Sequence, residues 1–176
     1  MESALVTLIL VTVVLFGVLT IADSYFSTQD TLMLATQAMA RRSEDQARTA
    51  LTLLAAETKS AGAFVELTFR NTGSTKLADF DEWDVVVQYY TAPSAYVITW
   101  LPYVATTIPS DNQWAIGGLY LSAATAVPEV YEPDILNPGE EIVMRIKLFP
   151  IVGPQTTNLA TVAVANGVSQ SVIFVR

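Results

Sequence analysis

The chain contains no cysteine and no histidine among its 176 residues. Without cysteine there are no disulfides, and thiol usage carries no signal about redox compartment. Without either residue there is no zinc site of imidazole or thiolate, no haem or iron–sulfur ligation, and no Ser-His-Asp or Cys-His nucleophile system. Charge is scarce as well, at 15% of residues against 52% hydrophobic. The charge present is mostly acidic, 17 carboxylates to 9 bases for a net −8. Nucleic acid and anionic lipid are therefore poor partners, because both are bound by neutralising phosphates with Lys and Arg. A binding, structural or membrane protein remains, or an unusual carboxylate enzyme. The length allows one ordinary domain with an appendage.

Helix breakers are missing from the first third. All eight prolines lie at or after Pro93, and Gly17 is the only glycine before Gly62. Proline costs a helix interior about 3 kcal/mol and glycine about 1 kcal/mol, so this segregation predicts a long helix. From Ala4 to Ala22 the run ALVTLILVTVVLFGVLTIA carries no charge. As a helix it rises about 28 Å, close to the ~30 Å of a bilayer core. A cleaved secretory signal predicts a basic segment, a shorter apolar core and a small-residue cleavage site. Here the first basic residue is Arg41, and helical patterning continues past Ala22. Asp23, Ser27, Asp30, Gln37, Arg41, Glu44 and Arg48 fall on one helical face, and Leu32, Ala35, Met39, Ala47, Leu51 and Leu54 on the other. Gly62 is placed to end the helix as a left-handed C-cap, with Lys59 complementing the dipole in the last turn. The expectation is a single helix over 1–61, roughly 90 Å long, and a second region over 62–176.

Beyond Gly62 the period becomes two. Val65, Leu67 and Phe69 alternate with Glu66, Thr68 and Arg70; Ile142, Met144, Ile146 and Leu148 alternate with Val143, Arg145 and Lys147. Further strands are expected at Asp84–Tyr90, Tyr96–Val104, Gly118–Ala123, Leu159–Ala165 and Ser169–Val175. Asn137-Pro138-Gly139-Glu140 suits a type II turn, and Asn166-Gly167 a two-residue hairpin. About seven short strands with turns at this spacing predict an antiparallel, immunoglobulin-like β-sandwich, and the chain as a whole is α+β.

A sandwich of this size, about 35–40 Å long, cannot cover such a helix. Burial of side chains like these is worth about 1.5–3 kcal/mol each, so the helix belongs in lipid or in a bundle of its own copies. Ala35, Ala38, Ala47 and Ala50 would let helices approach closely.

The opening MESALVTLILVTVV resembles the type IV pilin superfamily after removal of a short basic leader. The phrases VELTFRNTGSTKLADFDEWDVVVQYY, ILNPGEEIVMRIKLF and ATVAVANGVSQSVIFVR resemble those of archaellins, the subunits of the archaeal swimming filament. That resemblance covers nearly the whole chain and is carried by the order of the phrases after such a helix. It implies processing by a prepilin-type peptidase, a transient single-pass membrane stage, and polymerisation by an assembly ATPase on a membrane platform protein. The product it implies is an extracellular helical filament, held by its N-terminal helices and rotated for swimming. Leu5 stands where bacterial pilins carry glutamate, which favours the archaellin side. No asparagine opens an Asn-x-Ser/Thr sequon, so glycans would have to sit on hydroxyls such as Thr106, Thr107, Ser110 and Thr125. The alternatives are an adhesion pilus subunit of the same superfamily and a single-pass surface protein whose sandwich binds a ligand.

The expected assembly surface comprises Met1, Glu2, Leu5, Leu8, Val13, Phe16, Leu32, Ala35, Met39, Ala47, Leu51 and Leu54. Within it, the Glu2 carboxylate is a candidate partner for the Met1 ammonium of a neighbouring copy, or simply an acid favoured by the helix dipole. No cofactor is expected. Asp79, Asp81, Glu82 and Asp84 in DFDEWD are a weak calcium candidate, since hard cations take several oxygens, but such runs are usually solvated loops. Glu129, Glu132 and Asp134 form a weaker cluster. No spacing selects a carboxylate pair for glycoside hydrolysis, and no enzymatic activity is expected. The tryptophans and tyrosines divide between core filling and contacts among neighbouring outer domains.

Overall fold

The computed structural model describes residues 2–176, the side chain of Glu2 excepted. A single helix, α1, runs from Glu2–Arg48, about 70 Å at 1.5 Å per residue. Nine strands follow: β1 (Leu51–Lys59), β2 (Phe64–Asn71), β3 (Asp84–Tyr90), β4 (Tyr96–Leu101), β5 (Gln113–Ser122), β6 (Val127–Pro128), β7 (Glu141–Lys147), β8 (Thr157–Ala163) and β9 (Ser169–Val175). They form a five-stranded sheet ordered β1-β2-β7-β5-β6 and a four-stranded sheet ordered β4-β3-β8-β9, antiparallel throughout. The α+β class and the sandwich are as expected. The chain divides into two compact units, 1–44 and 45–176, so the last turn of the helix belongs to the sandwich unit.

The helix ends thirteen residues before the expected Ala61, and the segment assigned to its last turns is strand β1. Two physical causes account for the difference. A β-bulge between Leu53 and Ala55 interrupts the alternation, so the apolar residues of β1 recur at mixed intervals that mimic a helical stripe. The sandwich also captures the backbone that a helix would use. The Arg48 carbonyl accepts the Ser74 N–H at 2.8 Å, and the Ala50 carbonyl accepts those of Thr72 and Gly73 at 2.9 and 3.1 Å. Leucine and alanine carry high helix propensity, and tertiary pairing overrides it here. Gly62 does adopt positive φ, at 85°, but in the β1–β2 connection and not as a helix cap.

Among the seven expected strands, β6 and β1 had no counterpart. Asn137–Glu140 forms its turn, with Gly139 at φ 90° and the Glu140 N–H on the Asn137 carbonyl at 3.1 Å. The Asn166-Gly167 hairpin has three loop residues, not two. Val164 and Val168 close it, and Gly167 takes the left-handed position of a bulged loop at φ 88°.

The core lies between the two inner faces. Val65, Leu67 and Phe69 of β2 and Ile142, Met144 and Ile146 of β7 meet Val85, Val87 and Tyr89 of β3 and Ala160 and Val162 of β8, all fully buried. Tyr89 enters with its hydroxyl paired, donating to the Pro150 carbonyl at 2.9 Å. Burial pushes its pKa up. Trp83 and Trp114 are also internal, whereas Trp100, Tyr90 and Tyr96 are exposed.

Candidate functional site

The helical unit has no second element to pack against, and its apolar side chains are uncovered. Leu5, Leu8, Val13, Phe16, Leu32 and Met39 of the expected assembly surface are all exposed, Phe16 by 73%. Ala35 is exposed beside them. The most apolar stretch reaches a mean hydropathy of 2.8, long and apolar enough to cross a membrane. Met1 and the Glu2 side chain lie outside the described residues.

The threonine hydroxyls of this unit find their acceptors within the helix. The hydroxyls of Thr7, Thr12, Thr20, Thr28, Thr31 and Thr36 each donate to the carbonyl four residues earlier, at 2.8–2.9 Å. Each donor is thereby satisfied inside its own helix, removing a desolvation cost that lipid or a bundle interior would otherwise impose. Gly17 leaves a shallow notch between Val13, Phe16, Thr20 and Ile21. A Cβ added at Gly17 would meet nothing within 4 Å, so glycine is not required by this helix itself. A helix that is apolar around its circumference is a membrane span or the core of a larger body.

The remaining expected surface residues are elsewhere. Leu51 is a buried core residue of the sandwich, and Leu54 is exposed on β1, at the edge of the five-stranded sheet; neither belongs to a helical stripe. Ala47 sits in the last helical turn, inside the sandwich unit.

That last turn is held by an anchor that the sequence reading missed. Gln46 Nε2 donates to the Asn166 carbonyl at 2.7 Å, and Asn166 Nδ2 donates to Thr49 Oγ1 at 2.8 Å. Thr49 Oγ1 in turn donates to the Asp45 carbonyl at 2.8 Å. Arg48 Nε donates to Ser74 Oγ at 3.1 Å. Gly73 allows the closest approach, because a Cβ there would fall 2.4 Å from the Arg48 carbonyl oxygen and 2.6 Å from the Ala50 nitrogen. The signal lay in Asn71-Thr-Gly-Ser74, which read only as part of an archaellin-like phrase, and in Asn166-Gly167, which read only as a hairpin turn.

The acidic candidates do not converge. Among the described residues, no group of three acidic side chains is placed to hold a metal. Asp79 stands in a left-handed conformation before a 3-10 turn containing Asp81 and Glu82, and the Asp84 carboxylate accepts Trp100 Nε1–H at 2.8 Å. Glu129 accepts the backbone N–H groups of Tyr131 and Glu132, which hold its pKa down, while Glu132 pairs with Lys76 at 2.8 Å.

No family model matches the chain, and no curated protein matches it. Similarity to solved structures is clear in shape and low in sequence. The chain of the archaeal flagellum of Methanospirillum hungatei strain JF1 superposes with a TM-score of 0.53 at 16% identity, over 99% of this chain and 91% of that one. The archaellum periplasmic stator protein FlaG from Sulfolobus acidocaldarius aligns at a TM-score of 0.49 and 17% identity, over 72% of this chain and 99% of that one. The FlaF–FlaG stator complex from the same organism aligns at 0.48 and 16%, over 70% and 87%. The alignment with the flagellum chain runs through both the helix and the sandwich of this chain and supports the fold.

Proposed function

We propose that this chain is the structural subunit of an archaellum-like extracellular filament that serves swimming, polymerising through its N-terminal helices. The observation that carries the reading is the uncovered helix 3–44, apolar over its first half, with its threonine hydroxyls internally satisfied. The likeness to a flagellum chain over 99% of this sequence supports it. Such a helix rests in lipid before assembly and among its copies afterwards. Because lipid and bundle are similarly apolar, burial is conserved in the transfer and packing alone decides the gain. Little free energy is released, so extraction from the membrane calls for an ATP-driven machine with a platform protein. A prepilin-type peptidase fits the same scheme. The function is mechanical, and the chain does no chemistry.

The test is a deletion in the host, followed by shearing of the wild-type cell surface. Filaments containing this chain, and cells that lose swimming on its deletion, are the expected result. Loss of attachment with swimming intact would assign the filament to adhesion. A monomer confined to membranes would overturn the filament altogether.

A further inference from the structure

The hairpin that receives the helix end carries a chemical liability. Of the five asparagines in the chain, Asn166 alone is followed by glycine. Asparagine is a labile residue, most of all before glycine, where no side chain shields the following nitrogen from the amide carbon. That nitrogen gives up its proton and attacks Cγ, a C–N bond forms, and ammonia leaves with the proton. Water then opens the resulting succinimide at either carbonyl, giving aspartate or isoaspartate. The hairpin itself demands this pair, since residue 167 sits at φ 88°, where a side chain would be strained. Gly167 is exposed and Asn166 half-buried, so water reaches the site.

In the folded chain each polar group that the attack must move is held. The Gly167 N–H donates to the Val164 carbonyl at 2.8 Å. Asn166 Oδ1 accepts the Val168 N–H at 3.1 Å, and Nδ2 donates to Thr49 Oγ1 at 2.8 Å. The Asn166 carbonyl accepts Gln46 Nε2 at 2.7 Å, which fixes the peptide plane that would have to turn. The bonds to Thr49 and Gln46 come from the end of α1.

We propose that Asn166 is a deamidation site guarded by the end of α1, its amide kept while Thr49 and Gln46 hold it and lost once they let go. The loss is one-way for the anchor. A carboxylate has no hydrogen to give Thr49, whose own is committed to the Asp45 carbonyl at 2.8 Å, so two acceptors would face each other. Asp45, Lys76 and Asp79 line the same recess as Asn166, so the new charge joins two of its own sign. Isoaspartate also inserts a methylene into the hairpin backbone. A brief release of the helix end thereby becomes a permanent one. The proposal is independent of the filament reading, because the anchor lies within the sandwich unit.

The test follows the Asn166 amide by peptide mapping in the full chain, dispersed in detergent and held at mildly alkaline pH. Asn112, followed by glutamine in the same chain, is the internal control. The native wild type should keep its Asn166 amide far longer than the same chain in urea. Thr49→Val removes the acceptor at nearly constant shape. Asn166 should then deamidate about fivefold faster, the population factor of one net hydrogen bond, with Asn112 unchanged. Gln46→Leu, which leaves the buried Thr49 in place, should accelerate it as well. Asn166→Asp should speed hydrogen exchange at residues 45–49 over wild type. A native wild type that deamidates as fast as the chain in urea overturns the proposal. So does a folded Thr49→Val chain that deamidates at the wild-type rate. Where Thr49→Val fails to fold, Gln46→Leu decides in the same way. Unchanged exchange in Asn166→Asp overturns the permanent release of the helix end.

Discussion

The two units of this chain solve opposite problems with similar apolar side chains. In the sandwich, Leu67, Phe69 and Trp114 are wholly withdrawn from solvent, and ion pairs such as Glu66–Arg145 lie on the outer face of the five-stranded sheet. In the helix, Leu8, Val13 and Phe16 are on the outside and nothing in their unit covers them. The sandwich has a core of its own; the described residues of the helical unit have none. Apolar content alone does not separate these cases, but the direction in which it points does.

A charge in the helix should break the comparison most severely. Val13→Lys costs about 2.5–3.5 kcal/mol per subunit in an apolar medium, repeated at every subunit of a polymer. Filaments should be lost from the cell surface while the purified sandwich keeps its Tm. The converse variant, Leu67→Ala, empties a fully buried position and should destabilise the sandwich by about 2–5 kcal/mol in denaturant titration, with the circular dichroism of the helix in detergent unchanged.

Gly73→Ala tests the seam between the two behaviours. Its Cβ would collide with the backbone of Arg48 and Ala50, so the strand or the helix end must move. A loss of about 2 kcal/mol in sandwich stability is expected, with faster hydrogen exchange at residues 45–48. The smallest effect concerns the charged sheet. Burial raises the Glu66 pKa, but the bonds from Lys59 and Arg145 outweigh it, and the net direction is below the ordinary 4.5. Its contribution is therefore complete above about pH 4.5 and disappears as pH falls through the lowered value. Glu66→Gln should cost about 1 kcal/mol at neutral pH, and the difference from wild type should vanish in acid. A difference independent of pH would assign the effect to packing.

Most of the fold was legible because its signals were local. The charge-free run, the confinement of proline to residues beyond 92 and the alternation in β2 and β7 each depend on neighbouring residues. The helix end was not, because the Arg48 and Ala50 carbonyls accept the N–H groups of Thr72, Gly73 and Ser74, more than twenty residues away. Leu51 and Leu54 followed that error, since the bulge in β1 disguises a strand as a stripe. That Leu5 to Met39 stand on a helix was legible from the charge-free run and the helical spacing. The place of β1 at the edge of the five-stranded sheet was not, because it depends on which strands become neighbours.

The account turns on whether helices 3–44 pack against one another. A helical reconstruction of the surface filament by electron cryomicroscopy measures this directly. The account predicts a core of bundled helices from this chain, with Val13, Phe16 and Gly17 in contact with neighbouring copies and the sandwiches outside. A filament whose core is built by another protein, or this chain found solely as a monomer in the membrane, would contradict it.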